Sequence, residues 1–437
     1  MKKENIKKVY IGLSGDTLHH GHINLIEKAR EYGKIMVGLL TDSAVANHKR
    51  LPILNYEQRK KIIENIQGVS EVVPQNDWDY SINIKKYKPD FMVHGDDWTQ
   101  GPQLNLRKNV IKTLNEYGGK LIEIAYTKGI SSTALVTNQM QLGITPENRL
   151  KTLKRTLEAK TLLRFIETHS PISAIIAEHV NQKINNGLKY FDGFWSSSLT
   201  DATKMGKPDI EALDISERLS NINHIFEVTT KPLIMDVDTG GRIEHLKLNV
   251  RSMERLGISA IIMEDKTGLK KNSLLGNDTS QIQEDTNIFC EKIKAANINK
   301  INKEFMVIAR IESLILGKGM KDAINRATSY VEAGADGIMI HSRKNEPDEV
   351  FNFSKEFRNN FKSIPLICVP TSYNIVNEDQ LAENGFNIVI YANQLFRAAY
   401  PAMVKTANSI LKHGRSKEID DDLISIKEIL ELIPGTK

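Results

Sequence analysis

The sequence predicts an α/β chain of two domains. A parallel sheet covered by helices on both faces spans residues 1–140, and a (β/α)8 barrel spans 155–437. A linker over 141–154 joins them. Three observations lead there. Strand-like and helix-like runs alternate along the whole chain, which argues for covered parallel sheets. Eight strand–helix units fill about 270 residues of the second half, the number that closes a barrel. The chain has 437 residues, more than one ordinary core accommodates.

In the first block, residues 8–14 read as a strand, followed by a helical run over 20–30 that stops near Gly33. Further strands are predicted over 35–41, 69–75, 91–95 and 120–126, with helices over 56–67 and 106–117 between them. Gly143, Pro146 and their polar neighbours read as a linker leading into a helix. The barrel strands are predicted at 162–168, 190–196, 232–237, 260–264, 306–311, 337–341, 366–369 and 388–391. Glu167, Trp195, Asp236, Glu264, Arg310, His341 and Thr371 fall at their C-terminal ends, the face where such barrels do chemistry. The tail, with Asp420, Asp421 and Asp422 ahead of an apolar stretch over 423–432, reads as a helix with acids at its start.

Composition narrows the class. No run of eighteen apolar residues occurs, so no membrane helix is expected, and the basic start lacks the apolar core of a signal peptide. Cys290 and Cys368 lie far apart and form no metal or disulfide pattern. A cytoplasmic enzyme is expected. The net charge of +5 is mild, and no broad basic face with interleaved aromatics suggests nucleic acid. The local cluster Lys49, Arg50, Arg59, Lys60 and Lys61 reads either as a solvated helix face or as a phosphate clamp.

The stretch from Gly15 and Asp16 through His19, His20, Gly21 and His22 follows a strand and opens a helix. A helix N-terminus offers free N–H groups and a positive dipole end to a phosphate. Imidazoles at i and i+3 share a face and can stabilise charge as a pyrophosphate leaves. Gly21 between them lets the backbone approach closely.

Over about residues 7–137 this block resembles the HxGH nucleotidyltransferases, most closely the glycerol-3-phosphate cytidylyltransferases. The carrying pieces are His19-x-Gly21-His22, Tyr56-Glu57-Gln58-Arg59, Gly95-Asp96-Asp97-Trp98 and Thr127-Lys128-Gly129-Ile130-Ser131-Ser132-Thr133. The resemblance implies a Rossmann-like domain with CTP as substrate. It places His19 and His22 on the triphosphate and phosphate contacts on Lys49 and Arg59. Gly15, Asp16, Gly21, Asp96, Gly129, Ile130, Ser131, Ser132 and Thr133 complete the implied nucleotide site. Two departures stand out. The family's Arg-Thr-Glu before the Gly-Ile-Ser run is Tyr126-Thr127-Lys128 here, and the basic residues of the middle loop shift to His48, Lys49 and Arg50. Both are compatible with an acceptor other than glycerol phosphate.

In the second half, Asp236-Val237-Asp238 leaves one strand and Glu264 ends the next, so three carboxylates converge on the barrel mouth. Oxygen ligands without a Cys or His cluster favour Mg2+. Glu264-Asp265-Lys266-Thr267-Gly268-Leu269-Lys270-Lys271-Asn272-Ser273 then reads as a charged, mobile loop suited to a phosphorylated anion.

Over about residues 155–433 these features resemble the phosphoenolpyruvate mutases of the isocitrate lyase superfamily. The resemblance implies that Trp195, Ser197 and Leu199 cradle the substrate and that Asp209 lies in the active site. It assigns Asp236, Asp238 and Glu264 to the Mg2+ shell, partly through water. Lys266 completes the family's Glu-Asp-Lys run, and Lys270, Asn272 and Ser273 close over the substrate. Arg310 pairs with its carboxylate or phosphoryl group, and His341 is a polar residue of the pocket. The superfamily's lyases carry a catalytic cysteine in this loop, and this loop has none. Phosphonopyruvate hydrolases share most of the pocket, while the Lys270-x-Asn272-Ser273 run favours the mutase.

Together the halves resemble the bifunctional cytidylyltransferase/phosphoenolpyruvate mutases of fosfomycin-type phosphonate biosynthesis. That implies isomerisation of phosphoenolpyruvate to 3-phosphonopyruvate, with an equilibrium favouring phosphoenolpyruvate. It also implies CMP transfer from CTP to a phosphonate such as 2-hydroxyethylphosphonate. Other acceptors are 2-aminoethylphosphonate and glycerol phosphate. A further reading makes the first domain a nucleotide sensor, which would not need both histidines. Homo-oligomers through the barrel, by exchange of a terminal helix, are also implied.

Overall fold

The computed structural model describes residues 6–99, 103–125, 145–184, 187–278 and 280–433. Strands β1 (Lys8–Leu13), β2 (Lys34–Leu40), β3 (Val69–Gln75), β4 (Phe91–Gly95) and β5 (Lys120–Ile124) form one sheet in the order β3-β2-β1-β4-β5. All its pairs are parallel. Apolar residues sit on both of its faces, as a covered parallel sheet requires. Val9, Ile11, Val37 and Ile63 pack on one side, and Tyr10, Trp98, Val110 and Leu114 on the other. Gly38 is needed for this fit, since a Cβ there would lie 1.7 Å from the Tyr10 hydroxyl.

Helices α1 (His20–Ala29), α2 (Asp42–Ala46), α3 (Tyr56–Glu64), α4 (Ser81–Tyr87) and α5 (Leu104–Asn115) connect the strands. Strand order reverses at β1, and the crevice beyond the C-terminal ends of such strands is the usual ligand site. Helix α1 starts there. The predicted segment 127–133 lies outside the described residues.

The predicted linker is corrected. Residues 146–154 belong to helix α6 (Pro146–Ala159), with proline at its first turn where the missing N–H costs nothing. Its Leu153 packs with Leu163, Phe165, Ile234 and Ile308 of the barrel interior. The Arg149 guanidinium donates to Thr229 O, and its carbonyl accepts from Ser259 Oγ. These residues precede barrel strands, so α6 closes the floor of the barrel.

The barrel strands are β6 (Leu163–Glu167), β9 (Gly193–Ser196), β10 (Leu233–Asp236), β11 (Ala260–Glu264), β14 (Met306–Ile311), β15 (Gly337–Ile340), β16 (Leu366–Cys368) and β17 (Ile388–Tyr391), closed in chain order. Two ribbons interrupt the alternation. The hairpin β7 (Asn181–Ile184) and β8 (Gly187–Tyr190) takes Tyr190 out of the barrel strand predicted to begin with it. The pair β12 (Lys266–Thr267) and β13 (Ile282–Gln283) anchors the charged loop.

The first domain docks on the floor. Arg155 of α6 donates to Pro52 O and Ile53 O at 2.9 and 3.0 Å. Arg50 donates to Thr230 Oγ1 at 2.8 Å and pairs with Glu178. Thr230 precedes β10, and Glu178 lies in the last turn of the helix Pro171–His179 that follows β6. The helix Gln394–His413 after β17 has no buried residue and exposes Tyr400, Met403 and Leu411. Among the described residues, no helix is long and apolar enough to cross a membrane.

Candidate active site

At the C-terminal ends of the barrel strands, one cleft is lined by Trp195, Ser197, Leu199, Asp209, Asp236, Glu264, Lys270, Asn272, Ser273, Arg310 and His341. Strand ends supply Asp236, Glu264 and Arg310, because side chains at the last residues of a barrel strand escape the packed interior. The loop after β12 supplies the lid. Lys270 Nζ lies 2.6 Å from Asp209, 2.5 Å from Asp238 and 2.8 Å from Ser198 Oγ. Asn272 Nδ2 donates to the other Asp209 oxygen at 2.8 Å. Ser273 Oγ accepts from Arg310 at 2.6 Å and from Lys266 at 2.9 Å, and its own proton goes to Glu312. The loop is thus folded across the mouth.

Two predicted residues sit behind the cleft wall. Asp238 is buried and shared between Lys270 and Arg218, the latter at 3.5 Å. Lys266 is a strut whose ammonium spans Lys271 O, Ser273 Oγ and Gln281 while facing Glu264 and Glu312, each at 3.4 Å. Glu312, fully buried, was missed by sequence reasoning. It accepts from Arg310 Nε at 2.7 Å and lies 3.7 Å from His341. The signal was present, since residue i+2 from Arg310 shares its face along an extended chain. Arg218, which holds Asp201 and Asp238, sits within a helix with no local signature.

Burial and charge shape the acids differently. Burial raises the Glu264 carboxyl to about 7, against the pull of Arg310 and Lys266. Burial also raises Asp238, opposed by Lys270. At Asp236 burial is outweighed by Lys270, Arg310 and Arg218, which hold it below the usual carboxylate range. Lys270 is pushed up, because its four carboxylate neighbours outweigh burial. Burial and Arg310 lower His341 below the usual imidazole range, against the pull of Glu312.

Among the described residues, no three Asp, Glu, His or Cys side chains converge closely enough to cage a metal ion directly. The chemistry of the donors still fits Mg2+. Asp236 and Glu264 are hard oxygen donors at adjacent strand ends with Asp238 two residues beyond the first, and the buried Glu264 Oε1 accepts no hydrogen bond, the Lys266 ammonium lying 3.4 Å away. Mg2+ is commonly held by one or two carboxylates with water and substrate oxygens completing the shell. Neither cysteine lines the cleft; Cys368 is buried in β16.

The first domain gathers a second group of predicted residues. His19 caps α1, its Nδ1 accepting from Gly21 N at 3.1 Å, while His22 Nδ1 accepts from His19 N at 3.3 Å. The rings lie 4.1 Å apart. With both Nδ1 atoms accepting, the proton of each neutral ring belongs on Nε2, which is left as a donor. Burial lowers His19, with His20 adding to it, and burial, His19 and Lys49 lower His22 to about 4. Both rings are therefore neutral at pH 7. Lys49 is lowered by burial and countered by Asp16. Gly15 and Asp16 line the turn into α1, where Asp16 Oδ1 accepts from Ile53 N at 3.1 Å. Asp96 sits in the 3-10 turn after β4. Gly129, Ile130, Ser131, Ser132 and Thr133 lie outside the described residues.

Arg59 is placed differently from its predicted phosphate contact. Its side chain is fully buried and is spent on Ser14 O, Leu40 O, Leu54 O and Asp42. It buttresses the loop beneath the site instead of facing a ligand.

Residues 153–411 match the family model described as phosphoenolpyruvate phosphomutase, and residues 14–138 match the one described as cytidylyltransferase-like. A phosphonopyruvate hydrolase from Variovorax sp. (strain Pal2) is 36% identical over 282 residues, 64% of this chain and 93% of that protein. A phosphoenolpyruvate phosphomutase from Tetrahymena pyriformis is 32% identical over 299 residues, 68% of this chain and 95% of that protein. A crystal structure of phosphonopyruvate hydrolase in complex with oxalate and Mg++ is 34% identical, with a TM-score of 0.58, covering 66% of this chain and 95% of that one. The cleft, the lid and these matches agree: the chain belongs to the phosphoenolpyruvate phosphomutase family, with a cytidylyltransferase-like domain ahead of its barrel.

Proposed function

We propose that the chain is a bifunctional enzyme of phosphonate biosynthesis. The barrel isomerises phosphoenolpyruvate to 3-phosphonopyruvate, and the first domain transfers CMP from CTP to a phosphonate such as 2-hydroxyethylphosphonate. The observation carrying the barrel reading is the clasp of Lys270 and Asn272 on Asp209 across a cleft containing Arg310. In this reaction the bond from phosphorus to the C2 oxygen breaks and a bond from phosphorus to C3 forms, with no net proton change. Arg310, Asn272 and Ser273 hold the substrate's anionic ends, and the lid keeps out the water that would capture the phosphoryl group. Asp236 and Glu264 in the cleft, with Asp238 behind them, would hold Mg2+, directly or through water, and the ion would supply positive charge to the anionic substrate.

In the first domain, a phosphonate oxygen attacks the α-phosphorus of CTP, the α–β bridge breaks, and pyrophosphate leaves. The Nε2–H donors of His19 and His22 and the Lys49 ammonium stabilise the charge that develops there.

A second reading of the barrel comes from the phosphonopyruvate hydrolase at 36% identity. ³¹P NMR on the full chain with Mg2+ separates the two. Phosphonopyruvate converted to phosphoenolpyruvate supports the mutase, and conversion to phosphate supports the hydrolase. With CTP and 2-hydroxyethylphosphonate, new pyrophosphate and CMP-phosphonate signals are expected. No CMP transfer to any phosphonate would overturn the reading of the first domain and return it to another acceptor or to nucleotide sensing.

A further inference from the structure

The segment that carries Lys49 into the first domain's site is held from outside that domain. Residues 47–54 run from α2 to the start of α3 across the floor of the barrel. Arg50 reaches Thr230 and Glu178. Two residues on, the carbonyls of Pro52 and Ile53 each accept from the guanidinium of Arg155, whose Nη2 also approaches Asp42 at 3.5 Å. Asp42 in turn holds Arg59 at 2.6 Å, and Arg59 ties Leu54 O to Ser14 O. A chain of contacts therefore runs from the barrel's α6 through Asp42 and the 52–54 carbonyls to the turn where Asp16 and the histidine helix begin. Asp16 closes the circuit by accepting from Ile53 N. The Tyr190 hydroxyl adds a longer contact, 3.4 Å, to Ala46 O.

We propose that Arg155 of the barrel is a positioning residue for nucleotidyl transfer: by fixing the Pro52 and Ile53 carbonyls and Asp42, it sets the 47–54 segment so that Lys49 faces the triphosphate beside His19 and His22. This rests on the reading of the first domain as a nucleotidyltransferase. The physical basis is preorganisation. A flexible segment carrying a phosphate-binding lysine must otherwise be ordered by the nucleotide itself, at the expense of affinity. A planar guanidinium bonding two successive carbonyls and a carboxylate fixes orientation as well as distance, which a single ammonium cannot do. The barrel mouth lies at the opposite ends of the strands, so the effect is confined to one activity.

The test uses the full chain. Arg155→Ala is expected to lower kcat/KM for CTP on the order of tenfold, because small displacements of a positioned charge are costly. Arg155→Lys should regain part of the loss through one carbonyl contact. Phosphonopyruvate turnover should be unchanged in both. In hydrogen–deuterium exchange, the peptide covering 47–54 should exchange faster in Arg155→Ala than in the parent. Parent-like CMP transfer with unchanged exchange would overturn the proposal. So would an equal loss of both activities with a lowered melting temperature, which would make Arg155 a general structural residue. If the parent chain itself transfers no CMP, the reading of the first domain fails. The exchange measurement then still decides whether the barrel orders the segment.

Discussion

His22 and Asp238 give the sharpest contrast between the two sites. His22→Ala removes the Nε2–H donor beside the crevice and should cut CMP transfer on the order of a hundredfold while leaving barrel turnover intact. Asp238→Ala leaves Lys270 without its nearest carboxylate and should do the reverse by a similar factor, about 100-fold or more. Parallel assays on the two variants check both. pH adds a third expectation. With His22 lowered from its usual 6.5 to about 4, the native ring stays neutral where a free histidine would titrate. CMP transfer should therefore show no loss from this group as pH falls from 7 to about 5. Native stability should decline between about 6.5 and 4, because the unfolded chain takes up a proton there that the native ring refuses. His22→Gln should lose that decline in thermal melts across the window. Most of these side chains were legible as strand-end or helix-start residues. Arg59 was not, because an arginine bonding three carbonyls reads in sequence like one that binds phosphate. Arg218 was not either, since its partners Asp201 and Asp238 come from a neighbouring helix and from the loop after β10.

The lid over 268–275 leaves a short ribbon at Thr267, and its geometry depends on Gly268. That residue has φ +76°, and a Cβ there would meet nothing within 4 Å. A substitution is thus penalised by backbone conformation alone, about 1–2 kcal/mol for a residue with a side chain. Gly268→Val should shift the lid toward open, lower isomerisation on the order of tenfold, and let inorganic phosphate appear as a side product. Gly268→Ala should do so more weakly. The ratio of phosphorus signals measures it; clean isomerisation in Gly268→Val would mean that the lid does not exclude water. At this scale the strands were the most legible elements. β3, β4, β11, β14 and β17 match their predicted bounds; β11, β14 and β17 are the apolar runs that covered parallel strands must be, while β3 is an edge strand with Ser70, Glu71 and Pro74 exposed. The linker was misread because Gly143 and Pro146 resemble loop punctuation, and Pro146 is in fact the first residue of a helix. The hairpin β7–β8 carries too weak a pattern to be seen beforehand.

For the whole molecule, the (β/α)8 architecture and the covered sheet were both predictable from alternation, whereas their mutual placement was not, since no local pattern encodes the Arg50 and Arg155 contacts. The tail poses an assembly question. Helix Gln394–His413 exposes Tyr400, Met403, Val404, Ile410 and Leu411, and Ile426, Ile429 and Leu430 follow nearby. So much exposed apolar surface on one terminal stretch favours burial against another copy. Light scattering should give a multiple of the chain mass, and Leu411→Glu combined with Leu430→Glu should give the single chain. A single chain in the parent would remove the expectation. The back-to-back placement of the domains has a consequence for traffic. The crevice at the start of the histidine helix opens beside the barrel floor, and the cleft opens at the far end, so under the proposed activity the barrel's product would depart away from the attached domain. The lid covers that doorway, and the attached domain does not. On the proposed reading, the fusion would keep two catalysts at equal numbers while leaving the barrel's exit clear of the first domain.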